Sequence, residues 1–263
     1  MNTLLKKCLA ATLMLGGLLS LAAVTPAGAA APNDDLKGKN VVLVHGAFAD
    51  GSSWNKVIPL LEAKGLHVVA VQNSLKSLDD DAAATQRVIE QQNGPVILVG
   101  HSWAGAVISQ AGNDDKVKAL VYVAAFAPDN GQSINDILKG KPAPSWATEL
   151  QKDSAGYLTL STNGITKDFA QDLPPAQARI VAATQGPWFA GCSDDKVATA
   201  AWHNKPSWYV LTEKDRMIPA PLQAAMAQQI GATLVKVNAS HVAMLSQPTE
   251  VAAAIITAAR AAK

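Results

Sequence analysis

Three side chains in this chain have the types and the order needed for nucleophilic catalysis, namely Ser102, Asp215 and His241. A serine hydroxyl is a poor nucleophile at neutral pH and needs an adjacent base, and a histidine, with an ordinary pKa of about 6.5, suits that role. A carboxylate then fixes the tautomer of the histidine and stabilises the imidazolium that forms. The three residues therefore predict acyl-transfer chemistry, provided that the fold brings them together.

The segment around Ser102 has the pattern of a sharp turn between a strand and a helix. It runs PVILVGHSWAG over residues 95–105, and its apolar run Val96–Val99 is typical of a buried strand. A serine at such a turn forms a nucleophile elbow. The residues two before and two after the serine crowd one another, and here they are Gly100 and Ala104. Because alanine is the smallest substitute for glycine, the pattern survives sterically although it is incomplete.

Five histidines compete for the role of base. We prefer His241, because it follows the last predicted strand, where this order of residues places the base. His67 begins a strand and His203 lies in or next to an irregular segment, so both are predicted to be structural. His45 and His101 precede turns and are predicted to orient loops.

Asp215 is the preferred carboxylate because it ends a strand and precedes the histidine in the chain. Asp129 is the rival, since it follows the strand after the elbow strand, and Glu213 is a more remote third. Asp favours helix N-termini, so we interpret three acidic clusters as helix starts rather than metal ligands. They are Asp79–Asp81, Asp114–Asp115 and Asp194–Asp195.

The oxyanion that develops in acyl transfer needs two preorganised donors. The backbone N–H of Trp103, at the start of the elbow helix, is one candidate. The other is the N–H of Ala47, since Gly46 lets the loop after the first strand come close, and the N–H of Phe48 is the fallback. Several aromatic residues could line an apolar pocket, with core packing as the alternative for each: Phe48, Trp103, Phe126, Trp146 and Trp188.

Short apolar runs alternate with helical patterns along most of the chain, and this predicts a mostly parallel, doubly wound α/β sheet. Between about residues 130 and 205 the alternation stops, and we expect a cap over the site. Within it, Tyr157–Ser161 followed by Asn163-Gly164 predicts a hairpin with a tight turn, and Pro175–Thr184 predicts a helix. The predicted strands of the main sheet are Val41–Val44, His67–Val71, Val96–Val99, Ala119–Ala125, Ser207–Thr212 and Thr233–Val237.

The N-terminal residues have the composition of a secretory signal. Two lysines precede the apolar run Cys8–Val24, and Ala27-Gly28-Ala29 has the small-x-small pattern of a cleavage site. We therefore predict a cleaved signal peptide over residues 1–29 and one mature domain over residues 30–263. The protein is expected to be secreted or periplasmic, with no stable membrane anchor.

Charge and cysteine content exclude further classes. The formal net charge is +1 with no dominant block of either sign, which gives no support for nucleic-acid binding. Cys192 is the only cysteine after the predicted signal, so the mature domain has no internal disulfide. The oligomeric state is left open.

Taken together, these motifs resemble those of the α/β-hydrolase superfamily, in particular the branch of plant methylesterases and hydroxynitrile lyases with their small bacterial esterase relatives. The resemblance rests on VVLVHGAFADGSSWNKVIPLLEAKG, VILVGHSWAGAVIS, LVYVAAFAPDNGQS, SWYVLTEKDRMIP and ASHVAMLSQPTEV. It implies that Ser102, Asp215 and His241 form a triad and that Ala47 and Trp103 supply the oxyanion hole. It also implies a cap between the strand ending near Ala125 and the one beginning near Ser207.

Two departures from the lyase pattern favour ester hydrolysis over cyanohydrin cleavage. Hydroxynitrile lyases of this branch have lysine directly after the triad histidine, where this chain has Val242, and threonine where it has Gly46. We therefore predict a serine hydrolase for small carboxylic esters, lactones included, that needs no metal or organic cofactor. The alternatives are other reactions on the same triad (amide or carbon–carbon hydrolysis, perhydrolysis) and a non-catalytic receptor for a small molecule.

Overall fold

The computed structural model describes residues 36–262, so the predicted signal peptide lies outside the described part of the chain. These residues contain nine strands: β1 (Asn40–Val44), β2 (His67–Val71), β3 (Val96–His101), β4 (Val117–Val123), β5 (Leu150–Lys152), β6 (Tyr157–Leu160), β7 (Trp188–Phe189), β8 (Ser207–Thr212) and β9 (Thr233–Val237). Six of them form the central sheet in the order β2-β1-β3-β4-β8-β9, with every neighbouring pair parallel.

Helices flank this sheet. The α-helical segments are α1 (Ile58–Glu62), α2 (Leu78–Glu90), α3 (Ala104–Ala111), α4 (Ile134–Leu138), α5 (Thr162–Gly164), α6 (Pro175–Thr184), α7 (Ala220–Gln229), α8 (Ala243–Ser246) and α9 (Pro248–Ala261). Helices α2 and α3 pack against β1, while α9 packs against β3, β4 and β8. The predicted α/β fold class, with a parallel sheet and an insertion between two late strands, is confirmed.

The inner strands are apolar because both faces of the sheet are covered. Every residue of β1, β3 and β8 is buried, whereas the edge strands β2 and β9 are partly exposed. In β2, β8 and β9 the strand bounds are the predicted ones, and β4 begins and ends two residues before its predicted range. The ends of β1, β3, β8 and β9 therefore carry the candidate residues to one edge of the sheet.

The residues between β4 and β8 form a separate layer of short elements, which we call the cap. It contains a small antiparallel sheet in the order β5-β6-β7, short 3-10 helices and a π-helical turn at Ile165–Phe169. Helix α6 spans Pro175–Thr184, as the sequence predicts.

The predicted hairpin turn at Asn163-Gly164 is wrong. Strand β6 pairs with β5, which precedes it, and the connecting turn is at residues 153–156. There the Asp153 carboxylate accepts the N–H groups of Ala155 and Tyr157. Residues 163 and 164 instead belong to α5, because the Ser161 hydroxyl accepts the N–H of Gly164 and caps that helix.

Ser102 lies directly after β3 in the left-handed backbone region, with φ of 55°. Its N–H donates to the carbonyl oxygen of Val123 (3.2 Å), at the end of β4. Its own carbonyl oxygen accepts the N–H groups of Gly105 (3.0 Å) and Phe126 (3.1 Å). The strand-to-helix turn is thus tied on both sides to the chain that leaves β4.

Two glycines make room for this turn. A Cβ at Gly100 would lie 2.6 Å from the carbonyl oxygen of Ala104, so the expected crowding is present. A Cβ at Gly105 would lie 1.9 Å from the carbonyl oxygen of Phe126. The second position that requires glycine is therefore Gly105 rather than position 104, because the loop after β4 packs against it.

Exchanging the small residues of the elbow tests this packing. Gly105→Ala should lower the free energy of unfolding by about 3 kcal/mol or more, since the added methyl must displace backbone. Ala104→Gly should cost only about 1 kcal/mol, from backbone freedom and one lost methyl. Urea unfolding followed by circular dichroism measures both, and a larger loss for Ala104→Gly would contradict this account of the elbow.

Candidate active site

A buried hydrogen bond joins the two residues predicted to act behind the serine. His241 Nδ1 lies 2.8 Å from Asp215 Oδ2, and the two side chains are 1% and 0% exposed. Because the carboxylate accepts, Nδ1 carries the hydrogen, and in the neutral ring Nε2 then keeps its lone pair. The pair therefore has the tautomer that a general base needs.

The Asp215 carboxylate is held from every side. Oδ1 accepts the N–H groups of Met217 (2.7 Å) and Ile218 (2.9 Å). Oδ2 accepts from Thr212 Oγ1 and Gln223 Nε2, both at 2.9 Å, besides the histidine. The end of β8 and the start of α7 thus fix the orientation of the carboxylate, which in turn orients the imidazole.

Ser102 and His241 face one cavity of about 680 Å³, which we call the main cavity. The serine is 8% exposed, and its hydroxyl makes no hydrogen bond to another group of residues 36–262. It is therefore free to turn toward His241 or toward a bound molecule, and such contacts commonly tighten only when substrate is present.

The two backbone donors predicted for an oxyanion also face the main cavity. Ala47, after β1, and Trp103, at the start of α3, line it together with Ser102. Their N–H groups donate to no other group within the described residues. An unpaired N–H beside a nucleophile is available to a developing negative charge. The fallback residue Phe48 lines the cavity too and has φ of 58°.

All five aromatic residues proposed for the pocket line the main cavity: Phe48, Trp103, Phe126, Trp146 and Trp188. The cap adds apolar residues that sequence patterns did not single out, among them Leu138, Leu150, Leu158 and Phe169. Whether these residues reach the cavity depends on how the cap folds over the sheet, and no periodicity in the sequence predicts that. The result is a cavity whose wall is mostly apolar.

His45 and His101 are buried next to the site and hold its loops. His45 donates from Nδ1 to the carbonyl oxygen of Gly46 and accepts the N–H of Asn73 at Nε2, both at 2.9 Å. His101 donates from Nε2 to the carbonyl oxygen of His241 (3.0 Å). Burial lowers the pKa of His45 and holds the pKa of His101 well below its usual range. Both rings are therefore neutral supports, as their predicted role requires.

The rival acid Asp129 is engaged elsewhere. Its Oδ1 lies 2.6 Å from His203 Nε2, and both side chains are 42% exposed. This hydrogen bond lowers the pKa of Asp129. Glu213, the third candidate acid, is exposed. Cys192 is not a competing nucleophile at neutral pH, since burial raises the pKa of its thiol to about 12.

One acidic residue has a role that the sequence did not predict. Asp81 is fully buried, and its carboxyl group accepts from the indole Nε1–H of Trp103 (2.9 Å), the N–H of Leu75 (2.9 Å) and Ser74 Oγ (3.1 Å). It therefore fixes the side chain of Trp103, whose backbone N–H faces the main cavity. A run of three aspartates gave no signal that its third member points inward.

The prediction that the acidic clusters mark the starts of helices holds only in part. Helix α2 is capped by Ser77, and Asp195 accepts the N–H of Leu78 from a distant part of the chain. Asp114 and its neighbour precede strand β4, where Asp114 accepts the N–H of Lys116.

Within residues 36–262, no group of three His, Cys, Asp or Glu side chains is arranged to hold a metal ion. No helix in that range has the length and apolar character needed to cross a membrane.

Comparison with known proteins places this geometry in context. Residues 41–254 match the family model described as the alpha/beta hydrolase family. Salicylic acid-binding protein 2 of Nicotiana tabacum is 27% identical over 251 residues, which cover 84% of this chain and 96% of that protein. Methylesterase 1 of Arabidopsis thaliana is 24% identical over 249 residues, covering 83% and 95%.

A solved structure shows the same fold. The crystal structure of polyneuridine aldehyde esterase superposes with a TM-score of 0.75 at 22% identity, covering 83% of this chain and 98% of that one. The resemblance noted in the sequence is confirmed by these matches. The predicted enzyme class, a carboxylic ester hydrolase, agrees with the names of the relatives.

The contact between Asp81 and Trp103 can be tested through catalysis. In Asp81→Asn, the new side-chain NH₂ group faces one of the three groups that donate to the carboxylate, so Trp103 should shift. We expect kcat for a p-nitrophenyl ester to fall about 10- to 100-fold with little change in KM. Asp80→Asn is the matched control, because the Asp80 side chain is half exposed. Within residues 36–262 its carboxylate has one ion-pair partner, Lys76, at 4.0 Å.

A double-mutant cycle separates positioning from stability. Trp103→Phe removes the indole N–H, and its effect on kcat combined with Asp81→Asn should be less than additive, with a coupling of about 0.5–3 kcal/mol. Melting temperatures are measured alongside. A stability loss in Asp81→Asn with kcat at the level of Asp80→Asn would show that Asp81 is structural only.

Proposed function

Because the chain belongs to the alpha/beta hydrolase family, we propose that it is a serine esterase that cleaves uncharged carboxylic esters through an acyl-enzyme on Ser102. One observation carries this proposal. The His241–Asp215 pair, in the tautomer of a general base, faces the same cavity as a serine held in a strained strand-to-helix turn.

The reaction follows from these positions. Ser102 Oγ attacks the ester carbonyl carbon while His241 Nε2 takes the hydroxyl proton, and the carbonyl oxygen becomes negatively charged. The N–H groups of Ala47 and Trp103 stabilise this oxyanion, a contribution of about 10²–10³ in rate for each donor in comparable sites. Collapse of the intermediate breaks the bond to the alcohol, which leaves with the proton from His241.

Water completes the cycle by the same route, with water as the nucleophile and Ser102 as the leaving group. His241 takes a proton from the water that attacks the acyl carbonyl, and as the second tetrahedral intermediate collapses, the bond to Ser102 Oγ breaks, this oxygen takes the proton from His241, and the acid is released. Asp215 stays an acceptor throughout and stabilises the imidazolium. The surrounding apolar wall strengthens each of these interactions because it lowers the local dielectric.

The main cavity supports a substrate class larger than the small esters predicted from the sequence. Its volume of about 680 Å³ is in the range that encloses drug-sized molecules. Among its described lining residues only His241 and Lys141 are ionisable, and Lys141 is exposed. Burying a charged group against this wall would be costly. We therefore propose neutral esters with a bulky apolar acyl group, lactones included.

The nucleophile is tested by substitution and by a covalent probe. Ser102→Ala should lower kcat for a p-nitrophenyl ester by at least about 10³-fold, and a fluorophosphonate probe should label the wild-type protein at Ser102. Ser193→Ala is the matched control, since Ser193 lines the same cavity and is hydrogen-bonded to the Ala190 carbonyl oxygen (2.9 Å). It should keep both labelling and turnover. Ester hydrolysis that survives in Ser102→Ala would refute the proposal, and a wild-type protein that binds esters without repeated turnover would indicate a receptor.

The choice of acid is tested by two isosteric variants. Asp215→Asn should lower kcat by about 10⁴-fold, because an amide cannot hold the required tautomer of His241. Asp129→Asn should stay within about twofold of wild type, a change too small to involve a transition-state contact, since Asp129 pairs with surface His203. Steady-state kinetics on one ester decides the matter, and the opposite ranking of the two variants would make Asp129 the acid.

A further inference from the structure

A second, smaller cavity of about 270 Å³ lies between the cap and the core, and we call it the side cavity. One wall comes from the loop and 3-10 turn after β1, and includes Ala49. Another comes from α6 and the residues before it, and includes Leu173 and Val181. The third comes from the chain that follows His241, and includes Val242 and Leu245. None of the three candidate triad residues, Ser102, Asp215 and His241, lines this cavity.

Phe169 is the one described residue that lines both cavities. Its side chain is 1% exposed, and it ends the π-helical turn of the cap. Its ring lies edge-on to the ring of His241, with centroids 5.1 Å apart, and edge-on to Phe48 at 6.4 Å. A single aromatic ring, packed against the candidate base, is therefore common to the walls of both cavities.

The position of His241 indicates which part of an ester meets this ring. In the proposed mechanism, Nε2 of His241 gives its proton to the oxygen of the leaving alcohol, so the alcohol group must begin beside the imidazole. Phe169 is the cap ring that packs against this imidazole. An alcohol chain that continues past the ring would enter the side cavity, whose wall includes the residue after the base, Val242.

The side cavity has seven polar lining residues, Asp50, Ser52, Ser53, Asn55, Lys56, Gln177 and Thr184, but most of its wall surface is apolar. Its one cation, Lys56, is already engaged, since Nζ donates to Gln177 Oε1 (2.9 Å) and to the carbonyl oxygen of Leu245 (2.8 Å). An anion would have to displace these contacts. The leucine and valine side chains of the wall offer contact to an alkyl chain instead.

We propose that Phe169 determines leaving-group specificity by closing a side cavity that accepts apolar alkyl chains of the alcohol. This rests on the proposed esterase function. With the ring in place, esters of short alcohols are preferred, and bulk is accepted on the acyl side, in the main cavity. Without it, the two spaces join and long-chain alcohols gain a binding site.

The test compares methyl and hexyl phenylacetate, which share one acyl group and hence one deacylation step. Phe169→Ala should raise the ratio of kcat/KM for the hexyl ester to that for the methyl ester at least tenfold above wild type. Any loss caused by disturbing His241 affects both esters and cancels in the ratio. Phe126→Ala, which removes a ring that lines the main cavity only, is the matched control and should not raise the ratio.

Refilling the side cavity provides the decisive arm. Val181→Trp in the Phe169→Ala background should return the ratio to within about threefold of wild type, which is under 1 kcal/mol. A ratio that does not rise in Phe169→Ala, or a rise that Val181→Trp leaves intact, would overturn the proposal. If the wild-type protein showed no Ser102-dependent hydrolysis of either ester, the proposed function itself would be overturned. The two failures are therefore distinguishable.

Discussion

The left-handed backbone at Ser102 is the constraint on which the rest of the site depends. A non-glycine residue in this region costs about 1–2 kcal/mol, so it persists only where neighbouring structure fixes it. Here β4 supplies the restraint through hydrogen bonds on both sides of the serine. Ala124, directly after β4, also has positive φ (45°). The buried hydroxyl of Tyr209, in β8, donates to the carbonyl oxygen of the next residue, Ala125 (2.5 Å). Three adjacent strands thus hold one strained turn.

The cap is hydrogen-bonded to the loops that carry the candidate acid and base, so it does more than cover them. The Trp146 indole donates to the carbonyl oxygen of Met217 (3.1 Å), two residues after Asp215. The Asp172 carboxylate accepts the N–H of Ser240 (2.7 Å), directly before His241. Because both loops are anchored to the cap, the orientation of the Asp215–His241 pair and the shape of the main cavity depend on the same contacts.

Local patterns predicted what is determined locally or by burial of whole strands. Runs of β-branched and aromatic residues gave the bounds of β2, β8 and β9, because these residue types favour strands at the edge of a sheet as well as at its centre. The turn at Asn163-Gly164 was misplaced because Ser161 competes for the same backbone and caps a helix. The roles of Asp81 and Gly105 arise from partners far along the chain, Trp103 and Phe126, and no single-sequence pattern links such pairs. The triad candidates were predictable because strand ends converge at one edge of a parallel sheet.

Reaction and selectivity come from different parts of this chain. The parallel sheet positions the candidate nucleophile, acid, base and backbone donors, whereas most of the wall that a substrate would contact belongs to the cap. A change in the cap could therefore alter the substrate without rebuilding the catalytic geometry. Phe169 is where this separation ends, because it is a cap residue whose ring contacts the imidazole of His241. In the proposed mechanism, Phe169 therefore selects among leaving alcohols, which must accept the proton from His241, so the size of the alcohol is coupled to the chemical step itself.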